Sequence, residues 1–138
     1  MRALLHFLSF ALMLPSLIFA SGFLLLGHAI GGGTLIGLMN RFLGYGNLSP
    51  QDLTKPAAAN SKLFHLRRFY YDTAQFTDFL QLGALKGLVG ATQIVFGADY
   101  PYSTIVNHVE QLKNAGMTAA ELAGIDRENA LRILPKYR

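Results

Sequence analysis

Apolar and polar residues alternate along the chain in a pattern that predicts three strand–helix pairs. Short apolar runs at residues 23–26, 69–71 and 94–96 are each followed by a polar side chain, respectively His28, Asp72 and Asp99. Each run precedes a segment whose apolar residues recur with helical spacing, at 34–43, 77–88 and 103–115. This alternation predicts an α/β fold in which parallel strands are joined by right-handed crossovers. Three such units are too few to close a barrel of eight.

The helical segments also predict which side chains face the core. In the segment 34–43 the predicted apolar face consists of Leu35, Leu38, Met39 and Phe42. In the segment 103–115 the side chains predicted to point inward are Ile105, Val106, Val109 and Leu112. Thr118 and Glu121 form a capping box that predicts a short helix. Residues 126–129 are expected to open a separate last helix, which ends at Pro135.

The first 27 residues allow three interpretations. After Arg2 no charged residue occurs before Arg41, and an apolar stretch leads to Ala20, Ser21 and Gly22. Residues 1–21 therefore resemble a secretory signal, and the stretch is also long enough to span a bilayer. The third interpretation is a buried helix at about 3–14, ended by Pro15 and followed by a strand at 22–27.

The stretch from Gln93 to Pro101 places a carboxylate at the end of a predicted buried strand. Gly97 allows the backbone to turn or another group to approach closely, and Pro101 cannot continue a strand ladder. Asp99 lies between them, where α/β folds commonly hold ligands and metals. The alternative is that Asp99 only caps the turn that follows it.

His28 has a similar setting, because it ends an apolar run and is followed within three residues by a triple glycine. The glycines permit a tight turn, but no lysine follows them as in a phosphate-binding loop. The alternative for His28 is a core histidine bonded to nearby backbone. His6, His65 and His108 have no partners at ligand spacing, and we interpret them as structural or surface residues.

Composition narrows the classes of function. The chain is 51% hydrophobic and 14% charged, which is enough apolar residues for a packed core. Its 12 basic residues are scattered, apart from the pair Arg67-Arg68 and the tail 136–138, and form no stripe with interleaved aromatics, so nucleic acid is not expected as a partner. The absence of Cys excludes disulfides, thiol nucleophiles and cysteine-ligated zinc.

Four stretches together resemble the amidohydrolase superfamily, in particular its amidohydrolase-related branch, which is similar to aminocarboxymuconate-semialdehyde decarboxylase. They begin at His28 (HAIGGGTL), Phe69 (FYYDTAQ), Ile94 (IVFGADYP) and Arg127 (RENALRILP), and they occur in the order expected of that family. The resemblance covers residues 22 to 138. It implies a metal-dependent (β/α)8 barrel, of which this chain would supply about the last three β/α units as one incomplete domain, residues 1–138.

The resemblance also implies roles for three residues. His28 would end the sixth strand and act in acid–base catalysis near the metal. Asp99 would end the eighth strand as a metal ligand and catalytic residue, and Arg41 would contact a substrate carboxylate across a dimer interface. The implied cofactor is a divalent cation, with zinc as the first expectation. His28 and Asp99 are expected to lie at the same rim of the sheet.

The sequence also departs from the family pattern. It contains no His-x-His, which the family carries on its first strand, and it lacks the histidine of the fifth strand. The expected protein is a cytoplasmic decarboxylase or hydrolase that acts on a small carboxylate or cyclic molecule. Because these ligands are absent, its affinity for the metal is expected to be weak. The alternatives are a non-catalytic barrel remnant and a secreted or membrane-tethered α/β protein.

Overall fold

The computed structural model describes residues 35–44 and 48–137, which contain seven α-helices and two strands. In chain order these elements are α1 (Met39–Phe42), α2 (Pro50–Thr54), α3 (Lys62–Leu66), β1 (Tyr71–Asp72), α4 (Phe79–Val89), β2 (Ile94–Val95), α5 (Ile105–Lys113), α6 (Ala119–Ala123) and α7 (Asn129–Ile133). Short 3₁₀ turns lie at Ala91–Gln93 and Pro135–Tyr137. None of the helices in these ranges is long and apolar enough to cross a membrane.

The two strands form the centre of the fold. β1 pairs with β2 in parallel, with Tyr71 opposite Ile94 and Asp72 opposite Val95. The predicted α/β architecture with a parallel sheet is therefore confirmed for these two strands. The predicted strand at 23–26, the N-terminal segment and His28 lie outside the described residues.

The crossover between the strands is the helix α4. Asp78 caps its first turn by accepting hydrogen bonds from the amides of Leu80 and Gln81, and Gly90 ends it with a φ of 86°, a conformation that glycine adopts without strain. The side chains that pack at the centre of the molecule come from the sheet and from the helices around it. The largest hydrophobic side chains that are almost completely buried are Tyr71, Leu82, Leu85, Ile94, Leu112 and Ile125.

The C-terminal helices are one continuous run, whereas the sequence predicted two separate helices. Thr118 and Glu121 form the expected capping box at the start of α6. A π-helical turn, Gly124–Glu128, then connects α6 directly to α7. Asn129 explains why the run stays against the sheet, because its side-chain amide donates to the carbonyl oxygens of Ala91 (2.9 Å) and Ile94 (2.7 Å).

This C-terminal run also covers the outer edge of β2. The carbonyl of Val95 accepts from the amide of Thr73 beyond β1, so the backbone groups of the two flanking residues point to the opposite side. On that side the Phe96 amide donates to the carbonyl of Ile125 at 2.9 Å. Asn129 satisfies the carbonyl of Ile94. Both groups therefore have partners without a further strand.

Two predicted helix faces are only partly correct. On α5 only His108 and Leu112 are buried, while Ile105, Val106 and Val109 are exposed to 55%, 71% and 36%. The helix is rotated so that His108 points inward, where it makes a buried hydrogen bond to Thr73, the residue after β1. Within residues 35–43 only a single helical turn forms, and these residues present no continuous apolar face. Leu35 is buried there, but Leu38 and Phe42 are exposed.

The side chain of Arg67 connects the end of α2 to the end of α4. Its guanidinium donates to the carbonyls of Asp52, Leu53 and Lys55 at the end of α2, and to that of Leu88 in the last turn of α4. A cation at the C-terminal end of a helix is also favoured by the helix dipole. Arg67 therefore joins two helix ends that are far apart in sequence.

Candidate functional site

The candidate site lies where β1 and β2 end. Parallel strands end at the same edge of a sheet, so residues that follow Asp72 and Val95 come together there. Gly97 is at the centre of this edge, and a Cβ built on it would lie 2.9 Å from Cβ of Asp72. The Asp72 carboxylate accepts a hydrogen bond from the amide of Ala74 at 3.0 Å. The sequence prediction that Gly97 permits a close approach is therefore confirmed.

Asp99 begins the turn that leads from this edge to α5. Its φ is 56°, a backbone conformation that few residues other than glycine adopt. Its carbonyl oxygen accepts from the amides of Tyr102 (2.8 Å) and Ser103 (3.1 Å). The turn is thus capped by the backbone of Asp99 and not by its side chain. Among the described residues, the half-buried carboxylate has no hydrogen-bond or ion-pair partner.

A buried polar cluster lies directly beneath Gly97. The hydroxyl of Thr73 is 3.1 Å from both the amide nitrogen and the carbonyl oxygen of Gly97. It is also 3.1 Å from Nε2 of His108. Thr73 and His108 are 0% and 1% exposed. The ring of His108 meets that of Phe96 edge to face, with centroids 5.6 Å apart.

The other predicted site residues are not joined to this edge by any described contact. Arg41 is exposed in α1, and its side chain makes no hydrogen bond or ion pair within residues 35–44 and 48–137. Because His28 lies outside these residues, the expectation that it shares a rim with Asp99 remains a prediction.

The donor set was tested against the cation that the sequence resemblance implies. Nowhere in the described ranges do three His, Asp or Glu side chains lie close enough together to hold a metal ion. A catalytic zinc site normally uses three protein ligands. Asp99 is a suitable type of ligand, but the described residues alone do not complete such a site.

Burial affects one further titratable group beside the sheet. Tyr71 is completely buried, and this raises the pKa of its phenol far above the usual range. Its hydroxyl donates to the carbonyl of Leu66 at 2.9 Å. Tyr71 therefore stays protonated and acts as a structural donor that ties α3 to the strand.

Sequence reasoning missed the residues that support the edge. Thr73 follows a strand and His108 lies within an amphipathic helix, but no local pattern pairs residues that are 35 positions apart. Arg67 was noted only as part of a basic pair. Asn129 belongs to a motif that carried the family resemblance, and the structure shows its contact with the sheet.

Comparisons with known proteins give results only at the level of structure. No protein-family model matches the sequence, and no curated protein matches it either.

Several solved structures are similar to the chain. A dihydroxybenzoic acid decarboxylase from Polaromonas sp. JS666, solved with manganese and the inhibitor 2-nitroresorcinol, matches with a TM-score of 0.63 and 21% identity over 80% of this chain. A 2,6-dihydroxybenzoate decarboxylase from Rhizobium matches with the same TM-score, 0.63, and the same identity, 21%, over 80% of this chain. A 5-carboxyvanillate decarboxylase from Sphingomonas paucimobilis matches with a TM-score of 0.60 and 19% identity over 76% of this chain.

The matched region is only part of each of these enzymes. The chain spans 33%, 34% and 32% of their respective lengths. At about 20% identity such a likeness establishes the fold and leaves the activity to be tested. The chain thus shares the fold of about a third of each of these decarboxylases, which agrees with the resemblance predicted from its sequence.

Proposed function

We propose that this chain forms the C-terminal part of a metal-dependent decarboxylase or hydrolase barrel and contributes Asp99 to its active site. The main support is the position of Asp99, which follows β2 at the edge where both parallel strands end. The structural neighbours, which are decarboxylases acting on aromatic carboxylates, support the same general kind of function. The corresponding substrate class is a small cyclic carboxylate.

In this proposal each predicted site residue has a separate role. Asp99 would be a ligand of a divalent cation, since its carboxylate is half-buried and has no partner among the described residues. His28 would exchange a proton with the substrate. Arg41 would bind the substrate carboxylate, and in a homodimer it would do so in the active site of the other subunit. When bound, the cation would supply charge that polarises the substrate.

The proposal requires metal ligands in addition to those described. Because the described residues do not bring three ligands together, the remaining ones would come from outside these residues, for example from another polypeptide carrying the other β/α units. We therefore expect the isolated chain to bind zinc or manganese weakly. We assign no catalytic step to the metal on the basis of this chain alone.

Calorimetric titration of the purified chain with Zn²⁺ and with Mn²⁺ tests this assignment. Asp99→Asn keeps the size of the side chain and removes its charge, so binding should fall below detection. Asp126→Asn is the matched control, because it removes the same charge at an exposed position on the C-terminal run. Equal loss in both variants would mean that binding reflects net charge and not a site.

An activity assay separates the enzyme from its alternatives. Release of CO₂ from 2,6-dihydroxybenzoate in the presence of Mn²⁺, lost in Asp99→Asn and kept in Asp126→Asn, would support the proposed enzyme. If the folded chain binds neither Zn²⁺ nor Mn²⁺, the non-catalytic barrel remnant becomes the better description.

A further inference from the structure

We propose that His108 is a positioning residue for the candidate site. Acting through the hydroxyl of Thr73, it fixes the backbone of Gly97 and, through it, the turn that carries Asp99. The functional part of this inference rests on the proposed role of Asp99, whereas the positioning itself can be measured independently.

The number of donors and acceptors in the cluster determines the direction of each hydrogen bond. The Gly97 amide can only donate to the Thr73 hydroxyl, and the Gly97 carbonyl can only accept from it. A threonine hydroxyl has one proton and two lone pairs. Its proton is used by the carbonyl, so His108 must donate to the hydroxyl, and its Nε2 therefore carries a proton.

The orientation of His108 is fixed from two sides. Its ring and that of Phe96, the residue between β2 and Gly97, pack edge to face. Its backbone belongs to the first turn of α5, where its amide donates to the carbonyl of Thr104 at 3.1 Å. Thr104 also caps this turn by accepting from the amide of Asn107. The imidazole is thereby held with its Nε2 directed at Thr73.

These contacts form a closed circuit around Asp99. On one side of Asp99, Gly97 is bound at both its amide and its carbonyl by Thr73. On the other side, the Asp99 carbonyl binds the amides of Tyr102 and Ser103, which lead into α5. α5 returns to Thr73 through His108. The positive φ of Asp99 is therefore held from both ends, and the buried histidine closes the circuit.

Two substitutions of His108 distinguish positioning from packing. His108→Gln keeps a side-chain N–H that can donate to Thr73, whereas His108→Leu fills the space without a donor. Leu112→Ala is the matched control, since it removes a buried side chain from the same helix, one turn further along. It is expected to destabilise the fold without affecting the polar cluster.

Amide hydrogen exchange of the folded full chain gives the main measurement. The reporters are Gly97, whose amide is bound by Thr73, and Tyr102, whose amide is bound by Asp99. Each is compared with the buried Leu82, whose amide is bound by the carbonyl of Asp78. His108→Leu should raise exchange of both reporters relative to Leu82 by about tenfold, the effect of one lost hydrogen bond. His108→Gln and Leu112→Ala should leave these ratios within about twofold of the parent.

The protonation of the imidazole provides a second, spectroscopic test. ¹⁵N spectra of His108 in the parent should show the ring tautomer that carries its proton on Nε2. An unprotonated Nε2, or unchanged reporter exchange in His108→Leu, would overturn the positioning role.

The functional readout keeps this inference separate from the proposed enzyme. If the parent releases CO₂ with Mn²⁺, His108→Leu should lower kcat toward the level of Asp99→Asn, and His108→Gln should retain it. A parent that binds neither Zn²⁺ nor Mn²⁺ would refute the proposed function, while the exchange measurements would still decide the positioning role.

Discussion

Gly97 and the side chain of Asp72 lie so close together that no larger residue fits at position 97 without movement. A Cβ at this position would be 2.9 Å from Cβ and 3.2 Å from Cγ of Asp72. The amide and carbonyl of Gly97 are bound by the buried Thr73 as well. The close contact between the two strand ends therefore depends on glycine at position 97, which has no Cβ.

Replacement of Gly97 by alanine should destabilise the fold. The added methyl group would push against Asp72 and disturb both hydrogen bonds to Thr73, at a cost of about 1–3 kcal/mol in the free energy of unfolding. Chemical denaturation measures this change. Gly87→Ala is the control, because nothing lies within 4 Å of its added Cβ inside α4. It should stabilise the chain by about 0.5–1 kcal/mol, and a similar loss in both variants would contradict the steric argument.

Arg67→Lys should weaken the attachment of the end of α2 to the end of α4. A lysine ammonium cannot reach all four carbonyls that the guanidinium binds, so we expect a loss of about 1–3 kcal/mol. The measurement is again the free energy of unfolding. Arg68→Lys is the matched control, because the exposed Arg68 contacts only the ring of Phe64 among the described residues. If the two variants behave alike, Arg67 does not have the role assigned to it.

The stability of the C-terminal run should depend on pH through Glu121. Its carboxylate accepts a hydrogen bond from the Thr118 amide at 2.8 Å, which lowers the pKa of Glu121, and Lys86 lies 3.2 Å away. A pKa that is lower in the folded state stabilises the fold above the unfolded pKa of about 4.3. This stabilisation is lost as the pH falls through the folded pKa.

Glu121→Gln tests this dependence, because glutamine can still accept in a capping box but carries no charge. The variant should be less stable than the parent at pH 7, and the difference should shrink below about pH 4. Glu110→Gln is the control for loss of one charge, since its ion pair with Lys113 is exposed. A constant difference between parent and Glu121→Gln across this pH range would exclude the assigned cause.

The isolated chain should self-associate through the exposed apolar side chains on α5. Ile105 and Val106 are 55% and 71% exposed, and such patches favour association in water. Val106→Glu should shift the chain toward smaller species in size-exclusion chromatography with light scattering. Asn107→Glu adds the same charge at the neighbouring exposed position and should change the distribution less. A parent that is a monodisperse monomer with a sharp cooperative melting transition would contradict this prediction.

Features set by neighbouring residues could be predicted from the sequence. The two strands follow from compact apolar runs, and their parallel pairing follows from the helix between them. The capping box at Thr118 requires only the spacing to Glu121. At the candidate site, the same local reasoning found the close approach at Gly97 and placed Asp99 at the end of a strand.

Features that depend on distant partners could not be predicted in this way. The rotation of α5 follows from the bond of His108 to Thr73, which lies in another strand–helix unit. The apolar residues of α5 do not indicate this rotation, because a helix can pack against a core with more than one of its faces. Similarly, the continuous C-terminal run depends on contacts of Asn129 with Ala91 and Ile94.

The covering of β2 by Ile125 and Asn129 has a consequence for the integrity of the chain. These residues occupy backbone groups that could otherwise serve as a template for a strand of another molecule. A nonsense or frameshift change before residue 124 would remove this cover and leave the carbonyl of Ile94 and the amide of Phe96 open to intermolecular pairing. The last fourteen residues that the structure describes are part of the fold, and we expect them also to prevent cross-β pairing between molecules at β2.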